Sequence, residues 1–141
     1  MSTNSETKTA AILFADIAGY TALMQKDEAQ ALSQLQHFKQ ILERVVPSCQ
    51  GHIIQFYGDG CLVIFDQAKQ AVTCAKILQE SFQKEQEIPV RIGLHQGEVL
   101  LKDGNVYGHT VNVASRIESM GMAGAVLMSS SIWYDLSLIH I

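Results

Sequence analysis

The chain is predicted to fold as an α+β sandwich of the split βαβ type. Three features predict it: a continuous apolar segment at residues 9–16, a tight-turn signal at residues 58–60, and long amphipathic segments on both sides of that turn. They give the order strand, helix pair, hairpin, helix, strand, helix, strand. The 141 residues have the length of one domain, and 48% of them are hydrophobic, which is enough for a sizeable core.

The first half of the chain supplies a buried strand and two helices. Residues 9–16 are almost entirely apolar and end on a carboxylate, as expected for a central strand that is covered on both faces. A short helix opens at residues 18–21. A longer helix is predicted from Glu28 to Val46, where apolar residues recur at helical spacing, and Pro47 is predicted to end it.

The second half begins with a hairpin. Two short strands at residues 52–57 and 61–65 are joined by Gly58-Asp59-Gly60, and an Asp-Gly pair is a strong signal for a tight turn. The following strand is predicted to break at Gly97, and Ser129 or Ser130 is predicted to cap a last helix. Periodicity predicts the later elements in this order: a helix at 68–82, a strand at 90–101, a helix at 111–119 and a strand at 124–128.

The two ends of the chain are predicted to lie outside the domain. Residues 1–8 are polar and are predicted to form a disordered leader. Residues 136–141 read LSLIHI, which is the in-frame translation of a DNA adapter used in many sequencing libraries. We therefore expect the domain, residues 9–135, to stop near Asp135 with its last strands missing. A natural apolar tail is the alternative.

Composition and charge exclude several classes of function. The net charge is −4 and the lysines and arginines are scattered, so no basic surface for nucleic acid or membrane lipid is expected. No segment reaches the roughly 18 apolar residues of a membrane span, and the N-terminus lacks the apolar core of a signal peptide. Three cysteines, in apolar surroundings, are predicted to be buried free thiols, which suits a cytoplasmic protein.

The predicted topology brings two carboxylates together. The first strand is expected to pair antiparallel with the second strand of the hairpin, so Asp16 at the end of one lies beside Asp59 at the start of the other. Magnesium binds through one or two carboxylates plus substrate phosphates, and two such ions can clamp an attacking oxygen and a phosphate. The alternative is that Asp16 caps the short helix and Asp59 is only a turn residue.

A second candidate constellation lies on the helix at residues 111–119. Asn112 and Arg116 are four residues apart and therefore share one helix face. An amide beside a guanidinium suits a ribose hydroxyl and a phosphoryl group. The alternative is a polar pair on the surface with no ligand.

Four segments in this order resemble the class III adenylyl and guanylyl cyclase family. They are FADIAGYTALM (14–24), GHIIQFYGDGCLVIF (51–65), RIGLHQGEV (91–99) and YGHTVNVASRIES (107–119). The resemblance runs from about residue 9 to residue 130. It implies a ferredoxin-like cyclase fold and an enzyme that converts ATP to 3′,5′-cyclic AMP and pyrophosphate in intracellular signalling.

The resemblance also implies roles for individual residues. Asp16, Asp59 and the backbone carbonyl of Ile17 would hold two Mg²⁺ ions, for which Mn²⁺ can substitute. Asn112 would orient the ribose, and Arg116 would stabilise the charge that develops on the transferred phosphoryl group. Family members are dimers in which this Asn/Arg pair comes from the partner subunit, so a homodimer is expected. Backbone groups of the turn would bind the triphosphate, namely those of Ala18, Gly19, Tyr20 and Thr21.

The base-reading positions depart from the family pattern. Adenine-specific members usually have a lysine where this chain has Gln55 and often an aspartate where it has Asn105; guanine-specific members usually have a glutamate and a small residue. Because an amide can donate or accept a hydrogen bond, we favour ATP with weakened discrimination and GTP as a side substrate. Three alternatives are a guanylyl cyclase, an inactive nucleotide-binding or regulatory domain, and an interaction module without a nucleotide site.

Overall fold

The computed structural model describes residues 5–139, and the side chains of residues 5–136. One six-stranded sheet carries helices on both faces, which confirms the α+β prediction. The strands are β1 (Ser5–Ile17), β2 (His52–Tyr57), β3 (Gly60–Phe65), β4 (Val90–Lys102), β5 (Asn105–Tyr107) and β6 (Val126–Met128). The α-helices are α1 (Tyr20–Lys26), α2 (Glu28–Ser48), α3 (Ala68–Ser81), α4 (His109–Ser119) and α5 (Ser130–Ile139).

The strand order is β2-β3-β1-β4-β5, with β6 pairing parallel to the first half of β4. All other pairings are antiparallel. The sheet curls, so that the edge strand β2 approaches β5 from the opposite edge. As predicted, β1 lies at the centre between β3 and β4. Its apolar sequence follows from this position, because side chains on both of its faces are buried.

Two apolar cores cover the two faces of the sheet. On one face α2 and α3 bury a cluster in which the rings of Phe38 and Phe82 stack with their centroids 5.5 Å apart. On the other face a smaller cluster lies under α4 and includes Ile12, Leu62 and Ala114. The amphipathic helices thus bury most of the stripes that their periodicity predicted, although Leu32 of α2 is exposed, and α4 is held against the centre of the sheet.

Several predicted boundaries are wrong. The leader predicted at residues 1–8 is not disordered at Ser5–Lys8, which extend β1 and pair with the end of β4; residues 1–4 lie outside the described residues. Pro47 does not end α2, which continues to Ser48, because a proline in the last turn disrupts few hydrogen bonds. The tail at 136–141 begins inside α5, which says nothing of its origin.

The predicted break at Gly97 is also wrong, since β4 runs unbroken through it. This glycine serves a close approach instead: a Cβ at Gly97 would lie 2.6 Å from the Thr110 hydroxyl on α4. The short strand β5 was not predicted. Three residues between a turn and a glycine give too little periodicity to indicate a strand.

Candidate active site

Asp16 and Asp59 meet at the end of the central strand, as the sequence predicted. Asp16 is the register partner of Gly60, and the Ile17 amide donates a 3.0 Å hydrogen bond to the Asp59 carbonyl. The connection is a two-residue turn, in which Gly58 has φ +55°. That left-handed conformation suits glycine and lets the turn double back tightly. The two carboxylates are therefore tied to one strand ladder.

A cavity of about 400 Å³ opens over these carboxylates. Its walls come from β1, the β2–β3 hairpin and α4, so one chain supplies all of them. Asp16, Asp59 and Asn112 line it, which brings together three of the predicted site residues. The remaining lining side chains and backbone belong to Phe14, Ala15, Tyr57, Gly60, Cys61, Val111, Ser115 and Glu118.

Arg91 and Glu118 belong to the same cluster and were not predicted. Arg91 donates from Nε to Asp16 Oδ1 at 3.2 Å and from Nη2 to Oδ2 at 3.4 Å. Its Nε also lies 3.4 Å from Glu118 Oε2, at ion-pair distance. The Glu118 side chain is only 7% exposed, and its Oε2 has no hydrogen-bond partner. Burial first, and then the neighbouring Asp16 carboxylate, raise the pKa of Glu118 to about 8.

A signal for both residues was present in the sequence. Arg91 lies between the apolar residues Val90 and Ile92 at the start of β4, and it is the register partner of Asp16 in the β1–β4 ladder. Glu118 follows Val111 and Ala114 at helical spacing and so falls on the buried face of α4. A charged residue on a buried stripe indicates a partner or a ligand. The pairing itself required the register of two strands that are distant in sequence.

The structure separates Asn112 from Arg116. Asn112 lines the cavity formed by its own chain, whereas the resemblance implies that the Asn/Arg pair comes from a partner subunit. The close approach of α4 to β4 at Gly93 and Gly97 holds this helix near the carboxylates of its own chain. Arg116, one helical turn later, is exposed and is not among the residues that line this cavity.

The two base-reading candidates lie on the two strands that the curl of the sheet brings together. Gln55 is exposed on β2, next to a register shift in its pairing with β3. Asn105 opens β5, and its Oδ1 accepts a 2.8 Å hydrogen bond from the Val106 amide. This bond orients the Asn105 side chain, because only the oxygen can accept from an amide N–H. Its NH₂ group is then the end available to a base.

The turn predicted to bind phosphate connects β1 to α1. Gly19 caps α1 with φ +72°, and no side chain bonds to the free amides of the first turn. These amides, from Gly19 to Thr21, remain available to an anion. Ala18 differs, because its N–H donates to the Pro89 carbonyl at 2.8 Å.

The donor set fits Mg²⁺ or Mn²⁺ that is shared with a substrate. Within residues 5–139 no group of three His, Cys, Asp or Glu side chains is arranged to hold a metal ion. Asp16 and Asp59 are two hard oxygen ligands, and Mg²⁺ commonly completes its shell with water and phosphate oxygens. Asp16 already attracts the Arg91 cation and raises its pKa above the ordinary value. The site thus favours positive charge where a metal would bind.

Comparison with known proteins identifies the family. The family model for the adenylate and guanylate cyclase catalytic domain matches residues 3–138. The chain belongs to this family. A protein of Rhizobium meliloti that is named as an adenylate cyclase is 37% identical over 131 residues, and a Streptomyces coelicolor adenylate cyclase is 32% identical over 128. These alignments cover 87% and 89% of this cyclase domain.

The solved structures agree with the family assignment. The adenylate/guanylate cyclase/hydrolase from Silicibacter pomeroyi is 32% identical, with a TM-score of 0.87 over 98% of this chain and 84% of that chain. This likeness confirms the predicted cyclase fold. The chain spans only 22% and 34% of the length of the Rhizobium and Streptomyces relatives.

Proposed function

We propose that this cyclase domain converts ATP to 3′,5′-cyclic AMP and pyrophosphate with the help of two Mg²⁺ ions. The observation that carries the proposal is the meeting of Asp16 and Asp59 at one cavity, with Asn112 on its wall. The names of the Rhizobium and Streptomyces relatives support adenylate cyclase activity. Mn²⁺ is expected to substitute for Mg²⁺, and GTP to be a slower substrate.

The proposed roles combine residues that line the cavity, Asp16, Asp59 and Asn112, with neighbouring backbone groups that the family resemblance implies. Asp16, Asp59 and the Ile17 carbonyl would hold the ions, which when bound supply charge neutralisation at the phosphates and lower the proton affinity of the ribose 3′-hydroxyl. Asn112 would hydrogen-bond the ribose. The amides of Gly19 to Thr21 would bind the polyphosphate. The 3′-oxygen then attacks the α-phosphorus in line as pyrophosphate leaves, and the protein mainly orients the reacting groups.

We further propose that the active enzyme is a homodimer with two equivalent sites in the cytoplasm. Arg116 is exposed, so its guanidinium is free to reach the site of a partner across a two-fold axis. There it would stabilise the charge developing on the phosphoryl group. Within residues 5–139 no helix is both long and apolar enough to cross a membrane.

The test is product analysis with matched aspartate variants. Purified protein is incubated with ATP and Mg²⁺, and cyclic AMP and pyrophosphate are quantified. Asp16→Ala and Asp59→Ala should each lower turnover by several orders of magnitude while the circular dichroism spectrum is retained. The control is Asp66→Ala, which removes an exposed carboxylate paired with Lys8 and should leave turnover unchanged. Near-parental activity of either cavity variant would contradict the proposal.

A further inference from the structure

Arg91 lies between two carboxylates, those of Asp16 and Glu118, and it interacts with them differently. It makes two hydrogen bonds to Asp16, the proposed metal ligand. Toward Glu118 it has only the 3.4 Å approach of Nε to Oε2, without hydrogen-bond geometry. A cation bound to Asp16 would compete with Arg91 for the same two oxygens. Arg91 must then find another acceptor or turn toward solvent.

Glu118 offers that acceptor at a fixed position. It is nine-tenths buried, lines the cavity, and its Oε2 is the one buried polar side-chain atom among the described residues that lacks a partner. A buried carboxyl oxygen without a partner is costly, and it can accept a hydrogen bond whether or not the carboxyl group carries its proton, so it gains from a donor that moves toward it. Its backbone is packed tightly on β4, since a Cβ at Gly93 would be only 2.3 Å from the Glu118 amide nitrogen.

From this arrangement we propose that Glu118 is a positioning residue that receives the Arg91 guanidinium when a divalent cation takes Asp16. Glu118 thereby keeps Arg91 next to the Asp16 carboxylate and lowers the cost of releasing Asp16 to the metal. The inference rests on the proposed function only in taking Asp16 as a metal ligand. Glu118 needs no contact with the substrate for this role.

A metal titration tests the role without turnover. Mn²⁺ binding to the nucleotide-free protein is followed through the electron paramagnetic resonance signal of the free ion. Glu118→Leu removes the acceptor and should weaken Mn²⁺ binding by roughly 10-fold, as is common when a partner of a metal ligand is lost. Glu118→Gln keeps one side-chain oxygen and should restore most of the affinity. Circular dichroism checks that each variant is folded.

A double variant separates positioning by Glu118 from a direct effect of its charge on the metal. In an Arg91→Met background there is no guanidinium to receive, so adding Glu118→Leu should change the Mn²⁺ affinity by less than about twofold. The matched control is Glu98→Leu. Glu98 is an exposed glutamate on β4, the strand that carries Arg91, and this variant should bind Mn²⁺ as the parent does. An unchanged affinity in Glu118→Leu, or an equal loss in both backgrounds, overturns the inference. A parent that binds no Mn²⁺ overturns the proposed metal site and the inference with it.

Discussion

The Asn105 side chain differs from what sequence alone allowed. Two amides at the base-reading positions suggested a site whose donors and acceptors can be exchanged by a flip. The Val106 amide holds the Asn105 oxygen, so the NH₂ group is the end that remains free. The oxygen keeps a second lone pair for an adenine amino group, whereas the NH₂ suits a carbonyl such as that of guanine. In the proposed base-binding role, Asn105 would therefore bind adenine less well than an aspartate would.

This geometry weakens base discrimination but leaves the proposed preference for ATP in the same direction. We expect ATP to be favoured over GTP by a modest ratio of kcat/KM, on the order of 10 to 100, or about 1.4 to 2.7 kcal/mol. Gln55→Lys combined with Asn105→Asp should raise that ratio, because an aspartate can keep the Val106 bond and still accept from adenine. The measurement is product formation from each nucleotide separately. A parent that turns over GTP faster than ATP would contradict the choice of substrate.

The raised pKa of Glu118 predicts how the metal-free protein responds to pH. The folded state keeps this proton up to about pH 8, whereas the unfolded chain loses it near the ordinary value of 4.5. Between pH 4.5 and 8 the folded state thus binds more protons than the unfolded chain. The contribution of this proton to the free energy of unfolding is fully present below pH 4.5 and is lost as pH rises toward 8. Melting temperatures in chelator should fall across this interval. Glu118→Gln should flatten the slope, while Glu98→Gln should not.

At the scale of elements, two glycines set how closely α4 lies on β4, and they differ in what they face. A Cβ at Gly93 would meet the backbone of Glu118, which cannot move without shifting the helix. A Cβ at Gly97 would meet the Thr110 side chain, which can rotate at the cost of its hydrogen bond to the Glu98 carbonyl. The depth of the cavity therefore depends on the first position more than on the second.

Substitution at these two positions should separate the effects. Gly93→Ala should destabilise the protein by about 1–3 kcal/mol, as overpacking of a tight interior commonly does. It should also reduce turnover, since Glu118 shifts. Gly97→Ala should cost about 1 kcal/mol, the worth of one hydrogen bond, with little loss of turnover. Urea denaturation and cyclic AMP formation measure the two quantities. An equal loss of unfolding free energy in both variants would mean that α4 can shift along β4 to make room for the added methyl group.

The same elements show what could be predicted from sequence. The position of Asp16 beside Asp59 could be predicted from one apolar strand and one hairpin, both of which have local sequence signals, once the two were assumed to pair antiparallel. Arg91 and Glu118 were missed because their meeting depends on the β1–β4 register and on a helix approach that two glycines allow. The approach of β2, which carries Gln55, to β5, which carries Asn105, depends on the curl of the whole sheet, which no short segment encodes.

For the whole molecule, the proposed sharing of each site between two chains predicts complementation between inactive variants. Asp59→Ala and Arg116→Ala homodimers should each be nearly inactive, because the lesion is present in both sites. After co-refolding, half of the dimers are mixed and each has one intact site, so activity should recover to roughly one quarter of the parental value. The measurement is cyclic AMP formation before and after mixing.

The structure supplies a matched control for that experiment. Asp16 and Asp59 belong to one chain's cavity, so a mixture of Asp16→Ala and Asp59→Ala leaves one lesion in every site and should not recover. Asn112 lines the same cavity. A mixture of Asp59→Ala and Asn112→Ala should recover activity only if the Asn112 amide acts in the site of the partner chain. Failure of the Arg116 mixture, with heterodimers proven, would mean that Arg116 acts within its own chain.

The hydrogen bond from Ile17 to Asp59 also makes the state of the site observable by amide exchange. The hairpin cannot swing away from β1 without breaking this 3.0 Å bond, and the same motion separates the two carboxylates. Solvent deuterium enters the Ile17 amide only in such opened molecules. The protection factor of that single amide therefore reports the fraction of molecules whose cavity is assembled. A cation that bridges Asp16 and Asp59 should slow this exchange.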